Sequence, residues 1–278
     1  MSVNEKRVDF KRLEEEIFRK CMEIGREALG TVLMVLDEEL ARKRDTKRYR
    51  HKGKRGTTIK TLMGEVTFER TLYKTCNDEG VTIHVYLLDE YLGLGDGVGF
   101  MSAALSEAIA NACCEGTYRQ AAGVISELTG QQISHMAAWN VTQNIGRELG
   151  KIEERSAVLA AHGDGTGTLE AKLLFEAQDG IWLPLQGPSR KQYGDKHEMK
   201  LSIAYDGAEK VGKKRYRLTN KVACANFEDA EKFVKRKEGV IAGVYNVDEI
   251  QMRLLNGDGA PWIKHSLDGE NGQDRKSV

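Results

Sequence analysis

The pattern that most restricts the fold lies in the second half of the chain. From Lys172 onward the stretches KLLFEAQDG, EMKLSIAYDG and KRYRLTNKVAC read as strands. FEDAEKFVKRK then has the spacing of an amphipathic helix, and DEIQMRLLNGDG reads as one more strand. Three strands, a helix and a strand give an α/β order, in which the last strand is expected beside the first and parallel to it. Both of these strands end in Asp-Gly, at Asp179 and Asp258. This order therefore brings two carboxylates to one edge of a sheet, where α/β sites form.

Two carboxylates in that position suit a divalent ion, Mg²⁺ or Mn²⁺, which keeps several waters and activates water or a hydroxyl for attack on a phosphodiester. The competing reading is a plain turn, because Asp-Gly is a common turn signal and recurs at Asp96, Asp164, Asp206 and Asp268. His84, His135, His162, His197 and His265 show no mutual ligand spacing. HGDGTGTLEAK is Gly-rich but lacks Gly-Lys-Ser/Thr and precedes a strand, so it reads as a domain linker and not as a phosphate cradle.

The first half is patterned differently. From Phe10 to about Lys43, apolar residues recur at helical spacing, giving a long amphipathic helix with a break expected at Gly30. Its apolar face either packs internally or dimerises. Between Arg42 and Arg55 the run RKRDTKRYRHKGKR has Asp45 as its only acid. Lys+Arg and Asp+Glu both number 42 in the whole chain, so this run is a local footprint for DNA phosphates through Arg48, Arg50, Lys52, Lys54 and Arg55, or else a solvated basic hinge. The run leads into alternating segments on either side of Gly64, a β-hairpin that carries Lys60, and then into a third strand, VTIHVYLL.

Residues 99–160 return to helical spacing. One helix carries Ala121, Ala122, Ile125 and Leu128, Thr129-Gly130 breaks it, and a second carries Met136, Trp139 and Val141. Small residues and a Gly-containing turn are what a helix-turn-helix requires, and on that reading Gln131, Gln132, Ser134, His135 and Asn140 face a DNA groove with Arg119 beside them. The alternative is an ordinary helical hairpin in a bundle.

A chain of 278 residues, 40% hydrophobic and with only 3 Pro, is expected to fold into about two packed units. The boundaries expected are 1–45, 46–98, 99–162, 170–264 and a tail at 265–278. The 5 Cys include no C-x-x-C pair and read as reduced thiols. With neither a signal segment nor a membrane span in the pattern, a cytoplasmic location without a membrane partner is expected.

Five ordered blocks carry a resemblance: RYRHKGKRGTTIKTLMGEVTFERTLYK, VYLLDEYLGL, TYRQAAGVISELTGQQISHMAAWN, EMKLSIAYDG and LLNGDGAPWIK. From the first helix to Lys264 the chain resembles the ISLre-type bacterial insertion-sequence transposases. The resemblance implies an α+β N-terminal part (long helix, small antiparallel sheet, helix-turn-helix-like helices) that binds DNA, followed by a ribonuclease H-like α/β domain. The acidic triad of that domain would bind Mg²⁺ for strand cleavage and joining, with Asp179 and Asp258 matching its first two members. The tail HSLDGENGQDRKSV departs from the family, which continues to a third acid, usually Glu. Glu270 and Asp274 lie in no helical apolar pattern. The expectation is an incomplete ribonuclease H-like domain without its fifth strand, in a truncated and inactive copy. Two alternatives are a non-catalytic DNA-binding remnant that recognises element ends, and a helical scaffold without a nucleic-acid partner.

Overall fold

The structure is a computed structural model that describes residues 9–94, 100–163, 167–264 and 275–277. Asp96, Asp164, His265, Asp268, Glu270 and Asp274 lie outside the described residues. The chain is mixed α/β and divides into two units, Met1–Arg147 and Glu148–Val278. Among the described residues no helix is long and apolar enough to cross a membrane.

The first unit opens with α1 (Phe10–Lys43). The break expected at Gly30 does not occur: Gly30 is buried within the helix and faces Val66 and Thr67. A glycine costs about 1 kcal/mol in a helix interior, which the packing of this half of α1 offsets. Leu33 and the flanking Leu29, Leu36 and Leu40 meet Ile59, Val66, Phe68 and Leu88. Asp37, 1% exposed, accepts from Thr71 N at 3.1 Å and Thr71 Oγ1 at 2.6 Å, which pins the helix to the sheet.

That sheet is β1 (Arg50–Thr61), β2 (Gly64–Cys76) and β3 (Thr82–Tyr86), all antiparallel in the order β1-β2-β3. The hairpin turns at Leu62-Met63, with Gly64 at φ +108°, a conformation that favours glycine. The basic run does more than lead into the sheet: its end, Arg50–Arg55, is the first part of β1, with a bulge between His51 and Lys54. The third strand is shorter than the sequence suggests, because Leu87–Leu92 form α2.

Three helices follow, α3 (Ala103–Glu115), α4 (Tyr118–Thr129) and α5 (His135–Ala161), the last contributing only its first part to this unit. Thr117 and Gln120 form a capping box at the start of α4, and Gly130 ends it in the left-handed region. The core here holds Leu105, Ile109, Ala122, Ile125, Ile133, Ala138 and Val141. Leu128, Met136 and Trp139, read from the pattern with the core residues, are exposed instead.

The second unit contains the rest of α5, then β4 (Leu173–Pro184), α6 (Gly187–Tyr193), β5 (Lys196–Tyr205), β6 (Gly207–Gly212), β7 (Arg215–Thr219), β8 (Val222–Asn226), α7 (Ala230–Ala242), β9 (Met252–Gly257), α8 (Pro261–Lys264) and β10 (Arg275–Ser277). Five of these strands form one sheet in the order β10-β9-β4-β5-β8, and β6-β7 form a separate ribbon. As the α/β order required, β9 lies beside β4 and parallel to it. Three details differ from expectation. Strand β4 does not close at Asp179 but pairs with β5 as far as Pro184. KRYRLTNKVAC is not one strand: Asn220 takes φ +49° and divides it between β7 and β8. A fifth strand is present, since Arg275–Ser277 pair in parallel with Arg253–Leu255.

The two faces of this sheet differ. Leu174, Glu176 and Gln178 of β4, Arg253 and Leu255 of β9, Ser202 and Ala204 of β5 and Cys224 of β8 are all buried. They alternate with Phe175, Ala177, Leu201, Ile203 and Leu254, which are half-buried on the other face. Helices α7 and α8 cover the buried face through Phe233, Ile241, Trp262 and Ile263.

Candidate functional site

The structure brings Asp179 and Asp258 together. In the parallel ladder Gln178 pairs with Gly257, so the two aspartates stand one step further on, level with each other. At that level the two chains are about 5 Å apart, the spacing of neighbouring strands. Both are exposed and line a cleft of about 520 Å³ whose other walls include Ala177, Leu201, Ile203 and Asn256. Asp179 Oδ1 accepts from Gly180 N at 2.8 Å, and Asp258 Oδ1 accepts from Ala260 N at 3.0 Å. The second contact holds the turn that leads into α8. At Asp206, by contrast, Asp-Gly is a plain turn, with the carboxylate accepting from Thr219 Oγ1 and Asn220 Nδ2.

Beneath the pair, on the covered face, lies a buried charge cluster. Glu176, 2% exposed, accepts from Lys237 Nζ at 2.7 Å and Arg253 Nε at 2.6 Å. Arg253 donates also to both oxygens of Glu238, at 2.7 and 3.2 Å. Burial alone would raise the Glu176 carboxyl, but Lys237 and Arg253 outweigh it and hold it below the usual range. The cluster ties α7 to β4 and β9 and so fixes the register that sets the two aspartates level. A slip of one residue would turn Asp258 to the opposite face.

Hard oxygen donors are what Mg²⁺ or Mn²⁺ takes, and two carboxylates are enough for an ion that keeps most of its waters. Among the described residues no group of three or more His, Cys, Asp or Glu converges, here or elsewhere. At the cleft the candidate donors are Asp179 and Asp258.

The residues expected to contact DNA fall into two groups. Arg48, Arg50, Lys52, Lys54 and Arg55 are exposed, on or just before the edge strand β1. Lys54 pairs with Glu38 at 3.6 Å, and the Arg48 guanidinium lies 5.3 Å from the Tyr49 ring centroid. Lys60 is committed within the fold, donating to Gln132 O at 2.8 Å and pairing with Glu65 at 3.5 Å. In the helical pair, Gln131 does not face outward: it is buried and its Nε2 donates to Thr61 O at 2.6 Å. Ser134 is exposed, but its Oγ accepts from Ala137 N and caps α5. Arg119, Gln132 and His135 are exposed, and Asn140 is half-buried.

Two features escaped the sequence reading. The rings of Tyr193, His197 and Phe227 stack in a column, with centroids 4.9 and 5.5 Å apart. His197 pairs with Leu183, which puts the column on the same sheet face as Asp179. No sequence signal joins rings 30 residues apart. The charge cluster did leave a signal, since Glu176 occupies an inward position in LLFEAQ where an apolar residue would be routine.

A UPF0236 protein encoded in the vanSb 3' region of Streptococcus gallolyticus is 26% identical over 210 residues, 76% of this chain and 42% of the relative. A UPF0236 protein of Caldanaerobacter subterraneus subsp. tengcongensis is 24% identical over 246 residues, 88% of this chain and 48% of the relative. The chain thus spans less than half the length of these relatives. The family model of UPF0236 matches residues 3–271, and the chain belongs to this uncharacterised protein family.

Proposed function

We propose that the protein belongs to a metal-dependent DNA strand-transfer enzyme of the insertion-sequence transposase type, with Asp179 and Asp258 as metal ligands. The observation that carries this reading is the pair of exposed aspartates, level on adjacent parallel strands at an open cleft. The strand order supports it: β4 lies at the centre of the sheet, flanked by β5 and β9, and β5 alone runs opposite to the rest. That is the order expected of a ribonuclease H-like sheet. A Mg²⁺ or Mn²⁺ ion held by the pair would supply Lewis acidity and charge neutralisation at a phosphodiester. The residues of the chain would orient the ion, and the cations of β1 would hold phosphates. On this reading a third acid completes the set outside the described residues, and the two-carboxylate site binds its ion weakly and does not join strands by itself.

Mn²⁺ titration followed by the electron paramagnetic resonance of the free ion tests the site. Wild type should bind one ion, and Asp179→Asn and Asp258→Asn should each weaken binding about tenfold or more, since each removes half of the ligand charge. Equal binding by wild type and both variants would remove the reading. A second reading, a DNA-binding protein without catalysis, is favoured by the exposed β1 cations, which do not depend on the carboxylates. It predicts duplex binding that survives both substitutions, with a salt slope that falls by about one for each phosphate-contacting cation removed. A charged edge strand also blocks edge-to-edge pairing, and an absent salt slope would leave β1 that role alone.

A further inference from the structure

The exposed side of α1 carries an apolar stripe that the fold does not use. Phe10, Leu13, Ile17, Cys21, Ile24, Ala28, Val32 and Val35 follow one another at intervals of 3, 4, 4, 3, 4, 4 and 3 residues, an eleven-residue repeat. All eight are exposed, Phe10 at 73%, Ile17 at 56%, Ile24 at 64% and Val32 at 53%. At 100° per residue they fall within about a third of the helix circumference. This stripe lies about a third of a turn around the helix from Leu29, Leu33, Leu36 and Leu40, which meet the sheet. Moreover, residues 9–21 are exposed on every side. A helical segment of that length is marginal in water unless something packs on it.

We infer that α1 pairs in antiparallel fashion with α1 of a second copy of this chain, through this stripe. The spacing itself selects the partner, because the series of intervals reads the same in both directions. Its positions fall into pairs that sum to 45: 10 with 35, 13 with 32, 17 with 28, and 21 with 24. An antiparallel copy centred there sets every apolar position level with another, which is the self-complementarity that a two-fold interface demands. Large then meets small: Phe10 faces Val35 and Ile17 faces Ala28, where a parallel copy would set Phe10 on Phe10 and Ala28 on Ala28. Even layers of this kind fill space without voids.

Charge agrees on the flank. Lys20, which bonds Glu23 in its own helix at 2.6 Å, comes within about half a turn of Glu27 of the second copy, and symmetry repeats the contact. Each uncovered N-terminal half would lie on the half of the other helix that is anchored to its sheet. The pairing therefore supports the segment that needs support. The inference rests on α1 alone and not on the proposed function.

Sedimentation equilibrium of the full 278-residue chain, loaded over about a hundredfold range of concentration, tests it. A monomer–dimer equilibrium is expected. Ile17→Asp should weaken dimerisation on the order of a hundredfold, because each dimer loses two buried isoleucines and buries two unpaired carboxylates. Circular dichroism and the thermal transition of that variant verify that the rest of the chain is folded. Orientation is read in a Cys21→Ser background by mixing Ile17→Cys chains with Ala28→Cys chains and adding a short bismaleimide. Antiparallel pairing predicts a 17–28 linkage between unlike chains, identified by mass spectrometry. A monomer at every concentration, a dimer indifferent to Ile17→Asp, or dominant 17–17 and 28–28 linkages would each overturn the inference.

Discussion

Replacing Glu176 with Gln should be among the most damaging single changes in the second unit. The carboxylate is 2% exposed and stands between Lys237 at 2.7 Å and Arg253 at 2.6 Å, themselves 1% and 3% exposed. Without its charge, two buried cations share Glu238 alone, which lies 3.0 Å from Lys237 and 2.7 Å from Arg253. Breaking a buried cluster by removing one partner costs about 3–5 kcal/mol, most of it the charge left uncompensated. Glu176→Leu with Lys237→Met removes one charge of each sign and leaves Arg253 on Glu238. The double variant should therefore lose less than either single one, which means a coupling of about 3 kcal/mol or more. Urea unfolding followed by tryptophan fluorescence measures all three. Because Lys237 and Arg253 hold the Glu176 carboxyl below its ordinary value, its contribution is fully present above about pH 4.3 and is lost as pH falls through the lower folded value. The gap between wild type and Glu176→Gln should close in that window. A Glu176→Gln loss under about 1 kcal/mol at pH 7, or losses that simply add, would refute the reasoning.

Two further expectations concern packing and reactivity. At Gly239 of α7 an added Cβ would fall 2.8 Å from the Ser156 carbonyl carbon and closer still to Ala157, so the helices could not stay where they are. Gly239→Ala should destabilise by about 1–3 kcal/mol, and an unchanged thermal midpoint would mean that α5 and α7 do not cross there. Burial pushes the Cys224 thiol up to about 12, whereas Cys76 and Cys114 are exposed. Iodoacetamide at pH 8 should label Cys76 and Cys114 in the native protein and spare Cys224, and equal labelling of all three by mass spectrometry would contradict the burial of β8.

Whatever depended on element order was legible in the sequence, and whatever depended on neighbours in space was not. The parallel pairing of β4 with β9 follows from a strand–helix–strand order, so the meeting of Asp179 with Asp258 could be read before any coordinates. The end of β4 could not. Asp179-Gly180 is a turn signal locally, but the ladder to β5 continues through Ile181 with Met199 and Leu183 with His197, and long-range pairing overrides the dipeptide. Gly180 instead leaves room for the Glu198 carboxylate, which reaches across to accept from Trp262 Nε1 at 3.1 Å. The basic first half of β1 was hidden for a different reason. An edge strand needs few apolar residues, so Arg50–Arg55 carried no alternation to detect. Gln131 looked like a groove contact because it is polar and follows a helix break, and only the fold shows it spent on Thr61.

The alternation of β4 also separates the kinds of work its acids can do. Glu176 points to the covered face, where a carboxylate without cations would be too costly, and it has two. Glu198 on β5, Glu228 before α7 and Glu238 within it are likewise engaged, with Trp262, Arg236 and Arg253. Asp179 lies three residues after Glu176 and so on the opposite face, and Asp258 stands level with it. Among the described residues, each carries one backbone N–H and no cation within ion-pair distance. Exposure makes that arrangement inexpensive, since water solvates what the protein leaves unpaired. Acids that hold the sheet together are neutralised from within, and on the proposed reading those at the cleft would meet a cation from outside. That difference, and not the Asp-Gly dipeptide, singles out the pair.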